Sequence, residues 1–127
     1  MTHATKRIIV VDDEPLVRMG TADTLRDGGF AVAEGKDAAD ALDLLFNDAE
    51  VVVALVTDVE MPGAMNGVDL AWHTHRRRPT IALVIISGGQ RPASADMPPN
   101  TRFLAKPVSE LVLLREVCGA IDDKSSG

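Results

Sequence analysis

The stretch VVVALVTDVEMPGAMNG, Val51 to Gly67, runs from apolar and β-branched residues straight into a carboxylate, Asp58, and then into a loop broken by proline and glycine. An unbroken apolar run of this length suits a strand buried on both faces, which is what a parallel sheet offers. A strand that ends on an acid places that acid at the carboxyl edge of the sheet. In open α/β folds that edge is where ligands bind.

Working outward, the same kind of run recurs at Arg7–Val11 (RIIVV) and Ile81–Ile86 (IALVII), with weaker strand candidates at Phe30–Ala33 and Arg102–Ala105. Helical spacing lies between them. Ala38, Ala41, Leu42 and Leu45 sit at i, i+3, i+4 and i+7, with Asp37 as the N-cap. Val68, Ala71 and Trp72 repeat that spacing, and Leu111, Leu114, Cys118 and Ile121 form a stripe on a last helix. The first helix opens at Asp13-Glu14-Pro15, an acidic cap followed by a proline whose missing N–H costs nothing there, and closes near Gly28-Gly29. Between the fourth and fifth strands, GGQRPASADMPPNT (Gly88 to Thr101) is too rich in proline and glycine for more than a short or irregular helix. Strands alternating with helices give an α/β, doubly wound parallel sheet.

The chain has 127 residues, which suits one domain over 1–127, its core at about 6–121 and a polar, frayed tail at 122–127. The composition, 46% hydrophobic and 25% charged, is that of an ordinary globular protein. A net charge of −6 argues against direct nucleic-acid binding, which needs a basic footprint. The single cysteine, Cys118, excludes an internal disulfide and suits a reducing compartment, where a buried thiol is inert. No apolar stretch approaches the ~18–20 residues of a membrane span, and MTHATKR has no secretory core, so the expected location is cytoplasmic.

The polar residues collect at strand ends: Asp12 and Asp13 after the first strand, Asp58 after the third, Ser87 after the fourth and Lys106 after the fifth. Three neighbouring carboxylates repel one another unless a cation joins them, and a few-carboxylate site is how Mg²⁺ is usually held. Lys106 and Ser87 add a positive charge and a hydroxyl, enough for a phosphate-sized pocket. Together these are the parts needed to move a phosphoryl group onto a carboxylate. Taken singly, each acid reads more simply as a helix or turn cap, Lys106 as a surface lysine and Ser87 as a turn residue. It is their joint placement that carries the chemistry. His73, His75 and Arg76-Arg77-Arg78 read as a solvated helix end, where cations oppose the helix dipole, and Trp72 as a packing residue.

The motifs VVDDEP, TDVEMPG, VIISGG and FLAKP, in that order, resemble the receiver domain of two-component response regulators over roughly Lys6 to Ile121. The resemblance implies a flavodoxin-like (βα)5 fold with five parallel strands in order 2-1-3-4-5. It implies Asp58 as phosphoacceptor, and Asp12, Asp13, Asp58 and the backbone carbonyl of Glu60 as ligands of Mg²⁺. Lys106 would pair with the phosphate, with a cis bond to Pro107, while Ser87 and Phe103 would act as the switch pair. It also implies a histidine kinase or histidine phosphotransfer protein as donor. The output would be a changed protein-binding face or a phosphate sink, as 127 residues leave no room for an output domain unless the chain is a fragment of a hybrid kinase or longer regulator. Such a domain promotes its own phosphorylation but is not an enzyme. A small Mg²⁺-dependent phosphohydrolase with Asp58 as transient nucleophile is the alternative. Three features depart from the family pattern: Ala64 lengthens the loop after Asp58, the fourth helix is short, and Ser87 replaces a more usual threonine. Glu60 and Gly89 occupy the positions that tune phosphoryl lifetime.

Overall fold

The apolar runs resolve, in a computed structural model that describes residues 6–47 and 51–126, into β1 (Arg7–Val11), β2 (Ala31–Gly35), β3 (Val52–Asp58), β4 (Ala82–Ser87) and β5 (Arg102–Ala105). The helices between and after them are α1 (Pro15–Asp27), α2 (Ala38–Asn47), α3 (Gly67–Arg77) and α4 (Glu110–Ser126). Every strand pair is parallel and the order is β2-β1-β3-β4-β5. This is the flavodoxin-like arrangement the resemblance implied. The segment between β4 and β5 holds one 3₁₀ turn, Ser94–Asp96, in place of an α-helix. The expectation about the MTHATKR start falls mostly on residues 1–5, which lie outside the described residues. Among the described residues, no helix is long and apolar enough to cross a membrane.

Alternation along the strands divides the core into two layers. Ile8, Val10, Ala54, Val56, Val84 and Ile86 face Leu25 of α1 and Leu113, Val117, Ala120 and Ile121 of α4. Ile9, Val11, Leu55, Leu83 and Ile85 face Ala38, Ala41 and Leu45 of α2 and Leu70 and Ala71 of α3. β4 is buried along its whole length, as a central strand covered on both faces must be.

Local signals account for most boundaries. Pro15 opens α1, and Gly29, with φ 98°, follows its end in the left-handed region that glycine tolerates. Asp37 Oδ1 accepts from the Asp40 N–H at 2.9 Å, as an N-cap should. Asn66 and Asp69 form a reciprocal capping box that starts α3.

Five expectations need correction. The cap residue of α1 is Glu14, whose side chain makes no capping bond; Asp12 Oδ1 instead accepts the Glu14 N–H at 2.9 Å. The buried stripe of α4 is Leu113, Val117, Ala120 and Ile121, while Leu111 is 73% exposed and Cys118 only half-buried. Both stripes have helical spacing, and contact with β4 and β5 selects one. The tail is helical to Ser126 because tertiary contacts hold it: Lys124 Nζ donates to the Pro79 carbonyl at 3.0 Å, and Arg102 pairs with Asp123 at 2.8 Å. Trp72 does more than pack, since its indole N–H donates to the Asp96 carbonyl at 2.8 Å. The arginines at the end of α3 are not simply solvated either. Arg76 lies over the Trp72 ring, and Arg77 and Arg78 lie over Phe46.

Candidate functional site at the carboxyl edge of the sheet

β1 and β3 are neighbours in register, Val11 beside Thr57, so the next residues, Asp12 and Asp58, meet at the same edge. Both are nearly buried, and Asp13 is exposed beside them. One carboxylate oxygen from each of the three lies within 4.8 Å of the others. Lys106, one residue beyond β5, bends back over the edge. Its Nζ donates to Asp12 Oδ2 at 3.2 Å and to Asp58 Oδ2 at 3.1 Å. The Lys106–Pro107 peptide is cis, as the family pattern implied.

Burial pushes the Asp58 carboxyl above its ordinary pKa, against the hydrogen bond and charge of Lys106, and the neighbouring charge of Asp12 adds to the rise. Burial would lower the Lys106 pKa, but its bonds to Asp58 and Asp12 outweigh that and the net shift is upward. Three acids at the edge face one ammonium, so negative charge is in excess there. A further cation at the edge would relieve that excess of negative charge.

The remaining sequence candidates fall around this centre. Ser87 is buried at the end of β4, and its Oγ accepts the Gly89 N–H at 3.0 Å. Phe103 pairs with Ile85, two positions before Ser87, so the aromatic and the hydroxyl share one face of adjacent strands. Phe103 is half-buried against the α2/α3 layer. Glu60 is exposed but reaches across the edge: a Cβ added at Gly89 would lie 2.8 Å from Glu60 Oε1 and 3.7 Å from Ser87 Oγ. The two residues that the family pattern sets side by side in role are thus side by side in space. The loop carrying Glu60 returns tightly, with the Gly67 N–H donating to the Val59 carbonyl at 2.8 Å. Only glycine fits at its close, since a Cβ there would run into the Asp58 carbonyl oxygen. Ala64 lies in the exposed, irregular part of that loop.

Two residues at the site gave no signal in the sequence. Arg18 Nη1 donates to the Asp12 carbonyl at 3.0 Å while its Nε pairs with Glu34 at 3.3 Å, fixing the end of β1. Arg91 stacks its guanidinium 5.3 Å from the centre of the Phe103 ring. The Arg18–Glu34 pair joins α1 to β2, and the Arg91 stack joins the connection after β4 to β5.

Fold and site together define a flavodoxin-like α/β protein with an acid, lysine and hydroxyl constellation at the carboxyl edge of its sheet. The sequence model of the response regulator receiver domain matches residues 8–117. The chain belongs to that family, and is thus a receiver domain of two-component signalling, a regulatory class of domain. Among similar proteins, the sensor kinase CckA of Brucella abortus (strain 2308) is 32% identical over 105 residues, which is 80% of this chain and 11% of that kinase. A 14.6 kDa protein of Leptolyngbya boryana is 34% identical over 121 residues, covering 91% of this chain and 90% of that one. The chain therefore spans only about a tenth of the kinase but nearly all of the small protein. Of solved structures, the receiver domain of the hybrid histidine kinase CckA superposes with a TM-score of 0.77 at 30% identity, covering 91% of this chain and 98% of that one. A response regulator receiver protein of Sinorhizobium medicae WSM419 gives a TM-score of 0.85 at 24% identity, covering 94% and 97%.

Proposed function

We propose that Asp58 accepts a phosphoryl group from the phosphohistidine of a histidine kinase or histidine phosphotransfer protein. The supporting observation is that Lys106 bridges Asp58 and Asp12 at 3.1 and 3.2 Å in a nearly buried setting, with Asp13 a third acid beside them. The donor set suits Mg²⁺, a hard cation that prefers a few carboxylate oxygens and retained water. Asp12, Asp13, Asp58 and the Glu60 carbonyl would hold it, and when bound it would neutralise charge on the transferring group.

This chain's residues perform the rest. An Asp58 carboxylate oxygen attacks phosphorus in line, a phosphorus–oxygen bond forms, and the donor's phosphorus–nitrogen bond breaks with its electron pair left on the imidazole. Lys106, already at the edge, keeps its charge on the side where phosphoryl oxygens gather. The Ser87 hydroxyl turns from the Gly89 amide toward the new dianion. Phe103, on the same strand face, follows into the space released and repacks against Arg91. The readout is a changed protein-binding surface around β5, or phosphate drained from a donor.

The test is intact-mass measurement after incubation with Mg²⁺ and acetyl phosphate. One phosphoryl adduct is expected, absent in Asp58→Asn and blocked by chelator. No adduct on the parent protein overturns the reading. Rapid release of free phosphate over many turnovers would instead support the phosphohydrolase.

A further inference from the structure

Gly20 sits in the interior of α1, where glycine is the least favourable residue apart from proline. Packing does not require it, because a Cβ added there meets nothing within 4 Å among the described residues. Nor does its backbone, which is helical. The contrast within the same helix pair is sharp: at Gly28 a Cβ would come to 2.5 Å from Leu114 Cδ1. α1 and α4 thus touch at Gly28 and stand apart beside Gly20.

The gap is a cleft of about 570 Å³ on the α1/α4 side of the sheet. Its walls include Val10, Val56 and Ile86 from the strands, Val17 and Gly20 from α1 and Leu113 from α4. Leu16, also in the wall, is 85% exposed. The volume lies within the ~300–1,000 Å³ typical of small-molecule sites, and the mix of apolar wall with few polar groups is likewise typical. Asp12, Asp58, Lys106 and the exposed Glu110 also line it. Lys106 is committed to the two aspartates, whereas Glu110 forms no ion pair among the described residues. The exposed charge that Lys106 leaves unmatched in the lining is therefore the Glu110 carboxylate.

We infer that the α1/α4 cleft binds a small amphipathic cation, its apolar body seated beside Gly20 and its amine or guanidinium facing Glu110. Such a ligand would lie against the back of the phosphoacceptor centre and would couple its own concentration to that centre. The binding step involves no phosphoryl chemistry, so it stands or falls separately from the function proposed for Asp58.

The experiment titrates the full-length ¹⁵N-labelled chain with naphthylmethylamine, with naphthylmethanol and naphthylacetate as neutral and anionic probes of the same body. Saturable amide shifts centred on Val17, Gly20 and Leu113 are expected for the amine, with the alcohol weaker and the acetate weaker still. Gly20→Leu should abolish the shifts while raising Tm, since the helix gains a better former and the gap is filled. Glu110→Gln should weaken the amine about fivefold, the worth of a partly exposed ion pair, and leave the alcohol unchanged. Absence of saturable shifts, their survival in Gly20→Leu, or equal binding of the acetate overturns the proposal. So does a Gly20→Leu protein that binds no amine in either form yet loses transfer from a protein donor while still accepting from acetyl phosphate. That outcome would assign the cleft to a protein partner.

Discussion

On one face of the sheet, α1 and α4 stand apart beside Gly20 and leave strand residues Val10, Val56 and Ile86 lining an open cleft. On the other face, where no α-helix follows β4, the chain closes the gap with a loop: Met97 is buried in the α2/α3 layer, and Trp72 of α3 ties the Asp96 carbonyl. Strand residues are buried beneath both coverings, but the helix pair leaves a cleft above them. Leu83 and Ile85 of a fully buried strand would otherwise be wetted, so the short, proline-rich connection has to supply an apolar plug. A helix pair carries no such demand, because its spacing depends only on which side chains stand between the two axes. A glycine there opens space without breaking a backbone bond.

That contrast is most easily broken at Met97. Met97→Ala removes the plug and should cost about 2–4 kcal/mol, read as a fall in the urea midpoint at unchanged slope. A loss below about 1 kcal/mol would mean that the loop does not seal the face. The tether comes next. Trp72→Phe keeps an aromatic ring under Arg76 but loses the bond to Asp96, an expected cost of about 1 kcal/mol, with amide exchange rising first in the Ser94–Asp96 turn. The smallest effect has the opposite sign. Gly20→Ala should stabilise by a little under about 1 kcal/mol, from helix propensity alone. A destabilised Gly20→Ala would show that the open face is packed after all.

The site was legible to the extent that it is made of strand ends. Asp12, Asp58, Ser87 and Lys106 each follow an apolar run, and parallel pairing brings such positions to one edge whatever the helices do. The contact between Glu60 and Gly89 was foreshadowed only as two separate positions, because it depends on how the lengthened loop folds back at Gly67. Arg91 over Phe103 and Arg18 on the Asp12 carbonyl had no local pattern to betray them. In α4, apolar residues occur on more than one side, so spacing alone admitted two stripes, and Leu111 fell on the wrong one.

The chain's own residues determined the order of elements, the parallel sheet and the identity of its acidic edge, because runs of β-branched residues, helical spacing and proline–glycine punctuation act over a few residues each. Tertiary structure alone decided which stripe of α4 is buried, that the last residues stay helical, and that Met97 seals one face while Gly20 leaves the other open. Those outcomes depend on distances between segments far apart in sequence, where packing and charge pairing outweigh local preference.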